Sequence, residues 1–407
     1  MKASKYNRRK FLGAASVGAG GLLINPFIAN GSTPEWTAND EYALDPGVIY
    51  LNTGTLGPCR RETMEATKKY WEELESMPLK FYGRWGAESL AEKTRNTAAT
   101  FFGCDVSEVM ITSSTTVGMN AIAQGLRLKA GDRVIATDQE HGGGILCWNY
   151  YQKYHGVIVD VVKIPPGEND AEAILNRISS AITKETKAIS VSHVFSSTGL
   201  RMPIDRISSL ARSRGIVCVV DGAQAAGAIK VNLKELGCHA YAMSGHKWLM
   251  GPKGTGILYI SDDAKDLVRP MQFEESHNTY SDGNGVVNQA AILGLGKAIE
   301  YLQSVGMAKI EEHNTALRTR AYQQLLNIKD LMIMSPATGP LSSPMIAVQL
   351  PDRLDKNAIS QMLLEKYKVS IRPTHKQWFN GIRFSLHIFN TEKEVDFAVK
   401  AVKELVA

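Results

Sequence analysis

Between about residue 105 and residue 260 the chain alternates short β-branched runs with helical patterns, and this alternation restricts the fold more than any other feature. The runs are VMIT (109–112), RVIAT (133–137), VIVDVV (157–162), KAISVSHV (187–194), IVCVV (216–220), AYAMS (240–244) and GILYI (256–260). Amphipathic segments such as AEAILNRISSAI and PIDRISSLARSRG separate most of them, the latter closing at Gly215 as a helix C-terminus should. Near-continuously apolar strands alternating with helices predict an α/β fold with a mostly parallel seven-stranded sheet covered on both faces. Beyond residue 285 the pattern changes: Ile292, Leu295, Ile299 and Leu302 recur at spacings of three and four and mark a long helix. Strands near 331–335, 344–350, 369–373 and 381–386 follow, with helices carrying Ile359 to Tyr367 and Val395 to Leu405. The expected organisation is a leader over 1–31, a large α/β domain over 32–285, and a linking helix with a smaller α+β domain over 286–407. Within it, segment 32–60 is expected to pack on the small domain or the site.

Charge separates the leader from the rest. Of 46 basic residues, Lys2, Lys5, Arg8, Arg9 and Lys10 lie in the first 31 positions, which hold no acid; without them 41 basic residues face 41 acidic ones. A balanced remainder without a basic run offers no general attraction for phosphate backbones, so nucleic-acid binding is not expected. The leader, KYNRRKFLGAASVGAGGLLINPFIANG, resembles a twin-arginine export signal, although Asn7 replaces the usual Ser or Thr. It predicts a periplasmic or otherwise exported protein that engages the twin-arginine machinery. Its apolar stretch is too short and glycine-rich for a stable membrane span. The GAGG inside it has no preceding strand and lacks the last glycine of a dinucleotide fingerprint. The five cysteines are odd in number and widely spaced, with no CxxC pair, so neither a disulfide scaffold nor a metal site is expected.

Ligands of open α/β sheets collect beyond the carboxyl ends of the strands. There the chain places DQEHGGG after RVIAT, FSSTG after KAISVSHV, DGAQ after IVCVV and GHKWLMGPKGTG after AYAMS. Asp221, Gln224, Ser244, His246 and Lys247 therefore converge on one crevice. A lysine that sheds its proton on burial can attack an aldehyde, and a carboxylate facing a ring nitrogen keeps that nitrogen protonated. Thr115 and Thr116, opening a helix after VMIT, are placed to hold a phosphate with the helix N-terminus. Together these groups suit a phosphorylated aromatic aldehyde held by a lysine.

The joint pattern, strand-DGAQ followed by SGHKWL and GPKGTG, resembles the class V aminotransferase-fold pyridoxal phosphate enzymes, a group that includes cysteine desulfurases, selenocysteine lyases and isopenicillin N epimerase. The similarity runs from YLNTGTLGPC (50–59) through SSTTVGMN, EHGGG and SHVFSSTGLRMPID to IRFSLHIFNTEKEVD (382–396). The resemblance implies a fold-type I homodimer with pyridoxal 5'-phosphate on Lys247, Asp221 at the pyridine nitrogen, Gln224 at the ring oxygen and His141 stacked on the ring. It further implies that Thr115, Thr116, Ser196, Ser244, His246 and Asn284 contribute to cofactor binding, and that Asn52, Arg372 and Arg383 bind the substrate, an α-amino acid that forms an external aldimine.

Departures from the family pattern bear on the reaction. Where desulfurases carry a catalytic cysteine, after the arginine of the segment matching SIRPTHKQW, this chain has Gln377, and no cysteine follows Cys238. Asn284 follows Gly283 where many relatives have Gly-Thr reaching into a neighbouring subunit. The stretch SHVFSSTG is closer to the epimerase-like branch, so an isopenicillin N epimerase-like activity is the main expectation, with a β-eliminating C–S lyase or an aminotransferase as the alternative. A serine hydrolase using His141 and the following glycines as an oxyanion hole would need a GxSxG elbow, and no serine is flanked by glycine at both positions. A non-catalytic exported binding protein is the remaining class, distinguished by the absence of a cofactor chromophore.

Overall fold

The computed structural model describes residues 41–78, 90–274, 276–279, 283 and 285–407. The segment 1–31, expected to be an export leader, and Asn284 lie outside them. The strands are β1 (Ile49–Tyr50), β2 (Val109–Thr112), β3 (Arg133–Thr137), β4 (Ile158–Val162), β5 (Thr186–Ser192), β6 (Val217–Asp221), β7 (Ala240–Ser244), β8 (Gly256–Ile260), β9 (Met332–Ile333), β10 (Met345–Gln349), β11 (Val369–Ser370), β12 (Arg372–Pro373) and β13 (Gly381–Ser385).

The large sheet has seven strands in the order β2-β8-β7-β6-β5-β3-β4. Six of them run in one direction, β4, β3, β5, β6 and β7 as parallel neighbours and β2 on the far side of β8, while β8 runs antiparallel to both β7 and β2. The reason lies in the connection: residues 245–255 form turns instead of a crossover helix, so the chain returns beside β7 in the opposite direction. Successive strand residues enter opposite cores, as the pleat requires. Ile135, Ile189, Cys218, Val220, Tyr241, Met243 and Tyr259 join one core, shared with Ile292, Leu295, Ile299 and Leu302 of the helix Gln289–Val305. Val134, Ala188, Val217, Val219, Ala240, Ala242 and Leu258 join the other, against Met119, Ile122 and Trp148. Every residue of β6 and β7 is buried, which is why these strands read as unbroken apolar runs.

The second sheet is antiparallel, β12-β13-β10-β9, and packs on the helices Met307–Leu325, Lys356–Tyr367 and Glu392–Val406 through a core containing Leu317, Ile346, Leu363, Phe384 and Val399. This is the smaller α+β unit expected after residue 285. The single strand expected at 369–373 is divided between two sheets. β11 pairs in parallel with β1, and β12 pairs with β13, setting Arg372 opposite Arg383. The N-terminal segment is therefore stitched to this unit, and a bridge between Asn52 and Ser385 continues the contact. Among the described residues, no helix is long and apolar enough to cross a membrane.

Candidate active site

The strand ends bring the groups of the crevice together. The helix Thr115–Gly125 starts where β2 ends, with Ser114 as its cap accepting from the Val117 amide at 3.3 Å. Thr115 and Ser244 are joined twice: the Thr115 amide donates to Ser244 Oγ at 3.2 Å and the two hydroxyls lie 2.7 Å apart. The helix Gly142–His155 begins beside it. His141 caps that helix, its Nδ1 accepting from the Gly143 amide at 3.1 Å. A side chain at Gly143 would collide with Thr116 Oγ1, so Thr116 sits against the first turn of the second helix. Two helix N-termini, each positive, thus converge on the Thr115–Thr116 hydroxyls, an arrangement suited to a dianionic phosphate.

Asp221 closes β6 and is buried. Its Oδ1 accepts from the Ala223 amide at 2.9 Å, and its Oδ2 packs so closely on Gly144 that no other residue fits there. Burial raises its affinity for a proton, while the Ala223 amide and Lys247 act in the opposite direction. Lys247 lies in the turn after β7. Burial pulls its ammonium down to about 8, against the pull of Asp221, and the charges of Arg383 and Arg372 add to the lowering. At neutral pH it therefore holds an appreciable neutral fraction, as a nucleophile or proton carrier must.

The turn that carries Lys247 is pinned from outside by the N-terminal segment. The Gly57 amide donates to the His246 carbonyl at 2.9 Å, and a Cβ on Gly57 would overlap the Lys247 carbonyl oxygen. Gln224 donates its amide to the Gly54 carbonyl at 2.8 Å and accepts from Trp248 Nε1 at 2.8 Å. One of its amide hydrogens remains for a ligand. His246 uses Nδ1 on the Thr255 carbonyl at 3.1 Å. His141 is held at about 4 by burial, then by the charges of Lys247, Arg372, Arg383 and His375, so its ring is neutral.

The arginines form the other wall. Arg383 is buried; its Nη1 donates to the Ser196 carbonyl at 2.8 Å and to Ser196 Oγ at 3.0 Å. Arg372 reaches Thr55 Oγ1 at 3.1 Å, and Thr55 in turn donates to Asn52 Oδ1 at 2.6 Å. Burial, then Arg372, lowers Arg383 to about 9, and burial lowers Arg372. These are neighbouring cations on paired strands, and no ion pair to either is found among the described residues. Arg383 Nε, Thr53 Oγ1 and Ser385 Oγ are buried without a partner. Two desolvated guanidiniums and three idle polar atoms favour an anion that is itself rich in acceptors.

Of the residues expected from sequence, Thr115, Thr116, His141, Asp221, Gln224, Ser244, His246 and Lys247 come to one crevice, and Arg372 and Arg383 act electrostatically on both Lys247 and His141. Ser196 and Asn52 stand one step back, Ser196 against Arg383 and Asn52 against Thr55. Sequence reasoning passed over Thr55, Gly57 and Glu140, although the motifs LNTGTLGPC and EHGGG contain them. A cavity of about 740 Å³ between Tyr50, the turn Leu56–Cys59 and Trp71 includes none of the crevice residues and is apolar. The donor set of the crevice, namely hydroxyls at helix N-termini, a buried carboxylate, a buried lysine and a neutral imidazole, fits pyridoxal phosphate.

The profile described as Aminotransferase class-V matches residues 49–397. The isopenicillin N epimerase of Amycolatopsis lactamdurans is 28% identical over 390 residues, spanning 90% of this chain and 98% of its own. A probable cysteine desulfurase of Methanothermobacter thermautotrophicus is 25% identical over 389 residues, spanning 88% and 94%. An apo cysteine desulfurase structure from Thermococcus onnurineus superposes with a TM-score of 0.77 at 25% identity, covering 90% of this chain and 96% of the other.

Proposed function

The chain belongs to the class-V aminotransferase family, and from that premise we propose that this pyridoxal phosphate-dependent enzyme cleaves the Cβ–S bond of a free α-amino acid by β-elimination. The observation that carries the proposal is the pair Arg372 and Arg383, set opposite each other without a carboxylate and acting on the same Lys247 and His141. A substrate carboxylate would supply the missing charge through bidentate contacts, leaving its Cα on the side of Lys247.

In this reading Lys247 would carry the cofactor, Asp221 would keep the pyridine nitrogen protonated, Gln224 would donate to the ring oxygen, and His141 would lie against the ring. Thr115, Thr116, Ser244, His246 and the two helix N-termini hold the phosphate. Pyridoxal phosphate supplies an aldehyde for amines and an electron-withdrawing ring that accepts the electron pair when a bond to Cα breaks. Neutral Lys247 takes the Cα proton, and the same amine can return a proton to the departing sulfur, so the net reaction consumes water and releases a thiol, an oxoacid and ammonia. Gly57 and Trp248 hold the turn in place while this happens, the first through its amide hydrogen bond to the His246 carbonyl and the second through Gln224.

Elimination needs one proton carrier, and Lys247, at about 8, has a suitable affinity. Epimerisation, the main expectation from sequence, needs a second acid to return a proton to the opposite face. His141 is neutral and has no acidic proton to give, and both arginines stay charged at neutral pH. Desulfurase relatives act in sulfur chemistry, which supports a C–S bond as the target. Gln377 in place of a thiolate argues for release of sulfur to solvent instead of to an enzyme cysteine. The epimerase relative keeps epimerisation as the second reading. Incubation with cystine and S-substituted cysteines in deuterated water separates them: equal release of oxoacid and thiol (a persulfide from cystine) is expected. Recovery of intact, inverted amino acid carrying Cα deuterium would establish the epimerase, and dependence on a second oxoacid would establish transamination. From sequence alone we also propose a homodimer exported by the twin-arginine route, to be checked by sedimentation and by periplasmic fractionation.

A further inference from the structure

Glu140 is buried at the end of the β3 loop, immediately before His141, and no role above uses it. Its Oε1 accepts from Thr137 Oγ1 at 2.6 Å and its Oε2 from Ser192 Oγ at 2.5 Å. Ser192 is the register partner of Asp221 across the parallel β5–β6 ladder. Register partners on adjacent parallel strands point to the same side of the sheet, so the hydroxyl that grips Glu140 stands beside the Asp221 carboxylate. Asp221 in turn packs on Gly144, one turn into the helix that follows Glu140. The crevice floor thus contains two carboxyls, and two hydroxyls, not a cation, hold the second.

We propose that Glu140 is a positioning residue acting through Asp221: loss of its proton adds a second negative charge beneath the ring site and strengthens the negative field presented to the cofactor. The inference rests on the assignment of Asp221 and Lys247 made above. Two buried like charges in one site oppose each other, so one of the pair keeps its proton to higher pH than an ordinary carboxyl. Burial accordingly pushes Glu140 up to about 7, with Asp221 adding to the rise and the hydroxyls of Ser192 and Thr137 opposing it. The other titratable groups around the pair are uncharged near neutrality. His141 is held at about 4 and His193, just after β5, at about 3, while the Cys147 thiol is pushed up to about 12 and the Tyr241 phenol on β7 well above its usual value. Lys247, beyond Asp221, is the nearby cation on that side. Glu140 is therefore a group on the floor of the site whose charge changes near pH 7.

The test is the visible absorbance of the protein reconstituted with pyridoxal phosphate, titrated from acid to alkaline pH. A negative charge nearby stabilises the protonated chromophore, so Glu140→Gln, which keeps both hydrogen-bond positions, should lower the titration midpoint by about half a pH unit or more. An unchanged midpoint in a folded Glu140→Gln protein would overturn the proposal and leave Glu140 a structural residue, since a purely structural role moves melting temperature and not this midpoint. Ser192→Ala provides a second arm. It retains the carboxyl but removes a donor to its ionised form, so it too should lower the chromophore midpoint, and if Glu140→Gln fails to fold, an unchanged midpoint here overturns the idea. A wild-type protein with no visible band would fail the Lys247 assignment, and this inference with it.

Discussion

At Lys247 burial and Asp221 oppose each other, and burial wins, leaving the amine at about 8 instead of its usual value above 10. The sign has a kinetic consequence: the neutral amine that attacks an aldehyde grows with pH until Lys247 is deprotonated. Capture of pyridoxal phosphate by the apo-protein, followed by stopped-flow absorbance, should accelerate about tenfold per pH unit below about 8 and level off above it. A flat profile from pH 6 to 9 would mean that the lysine is not the capturing group. For the substrate carboxylate, Arg372→Gln and Arg383→Gln should each lower kcat/KM about ten- to a hundredfold, the usual worth of a charged hydrogen bond of about 1.5–3 kcal/mol, mainly through KM. Unchanged steady-state constants in both variants would remove the amino-acid carboxylate from these residues. Lys247 and Asp221 were legible in the sequence because Asp221 ends, and Lys247 follows, a strongly apolar strand whose end opens on the crevice. Thr55 was not, since its value comes from Arg372 and Arg383, 317 and 328 positions away, which only the fold brings near. Glu140 was hidden for a related reason, because its partner Ser192 lies on another strand.

Among the elements, the seven-strand reading survives because both faces of the large sheet are covered, so the strands carry apolar residues at nearly every position. What periodicity could not show was direction: nothing in GILYI says that β8 runs against its neighbours, and the short turn-rich connection before it decides that. Nor could it show that 369–373 serves two sheets, because the partners β1 and β13 lie far off in sequence. The segment through Gly57 has the sharpest element-level prediction. Gly57→Ala sets a methyl group against the Lys247 carbonyl and should weaken cofactor retention on dialysis along with stability. Thr391→Ala offers the contrast. It removes one half of the capping box that starts the helix Glu392–Val406 and should cost about 1 kcal/mol in denaturant unfolding without changing cofactor retention. Equal effects of the two substitutions on retention would contradict the view that the N-terminal strap acts on the lysine turn.

For the molecule as a whole, the fold accounts for where the chemistry sits. Parallel strands deliver Asp221 and Ser244 to the same edge, two helix N-termini meet there, and the strands of the smaller sheet supply the arginines. The net charge of +5 equals the five basic residues within positions 1–31, so the remaining positions are balanced and offer no general attraction for polyanions. The central claim is that the crevice loads pyridoxal phosphate on one particular amine. Reducing the reconstituted protein with borohydride fixes the cofactor wherever it is bound, and mass spectrometry of the digested chain then locates it. The account predicts the added mass on the peptide carrying Lys247 and its loss in Lys247→Ala; a reduced adduct on any other lysine, or none in a folded wild-type protein incubated with the cofactor, would contradict it.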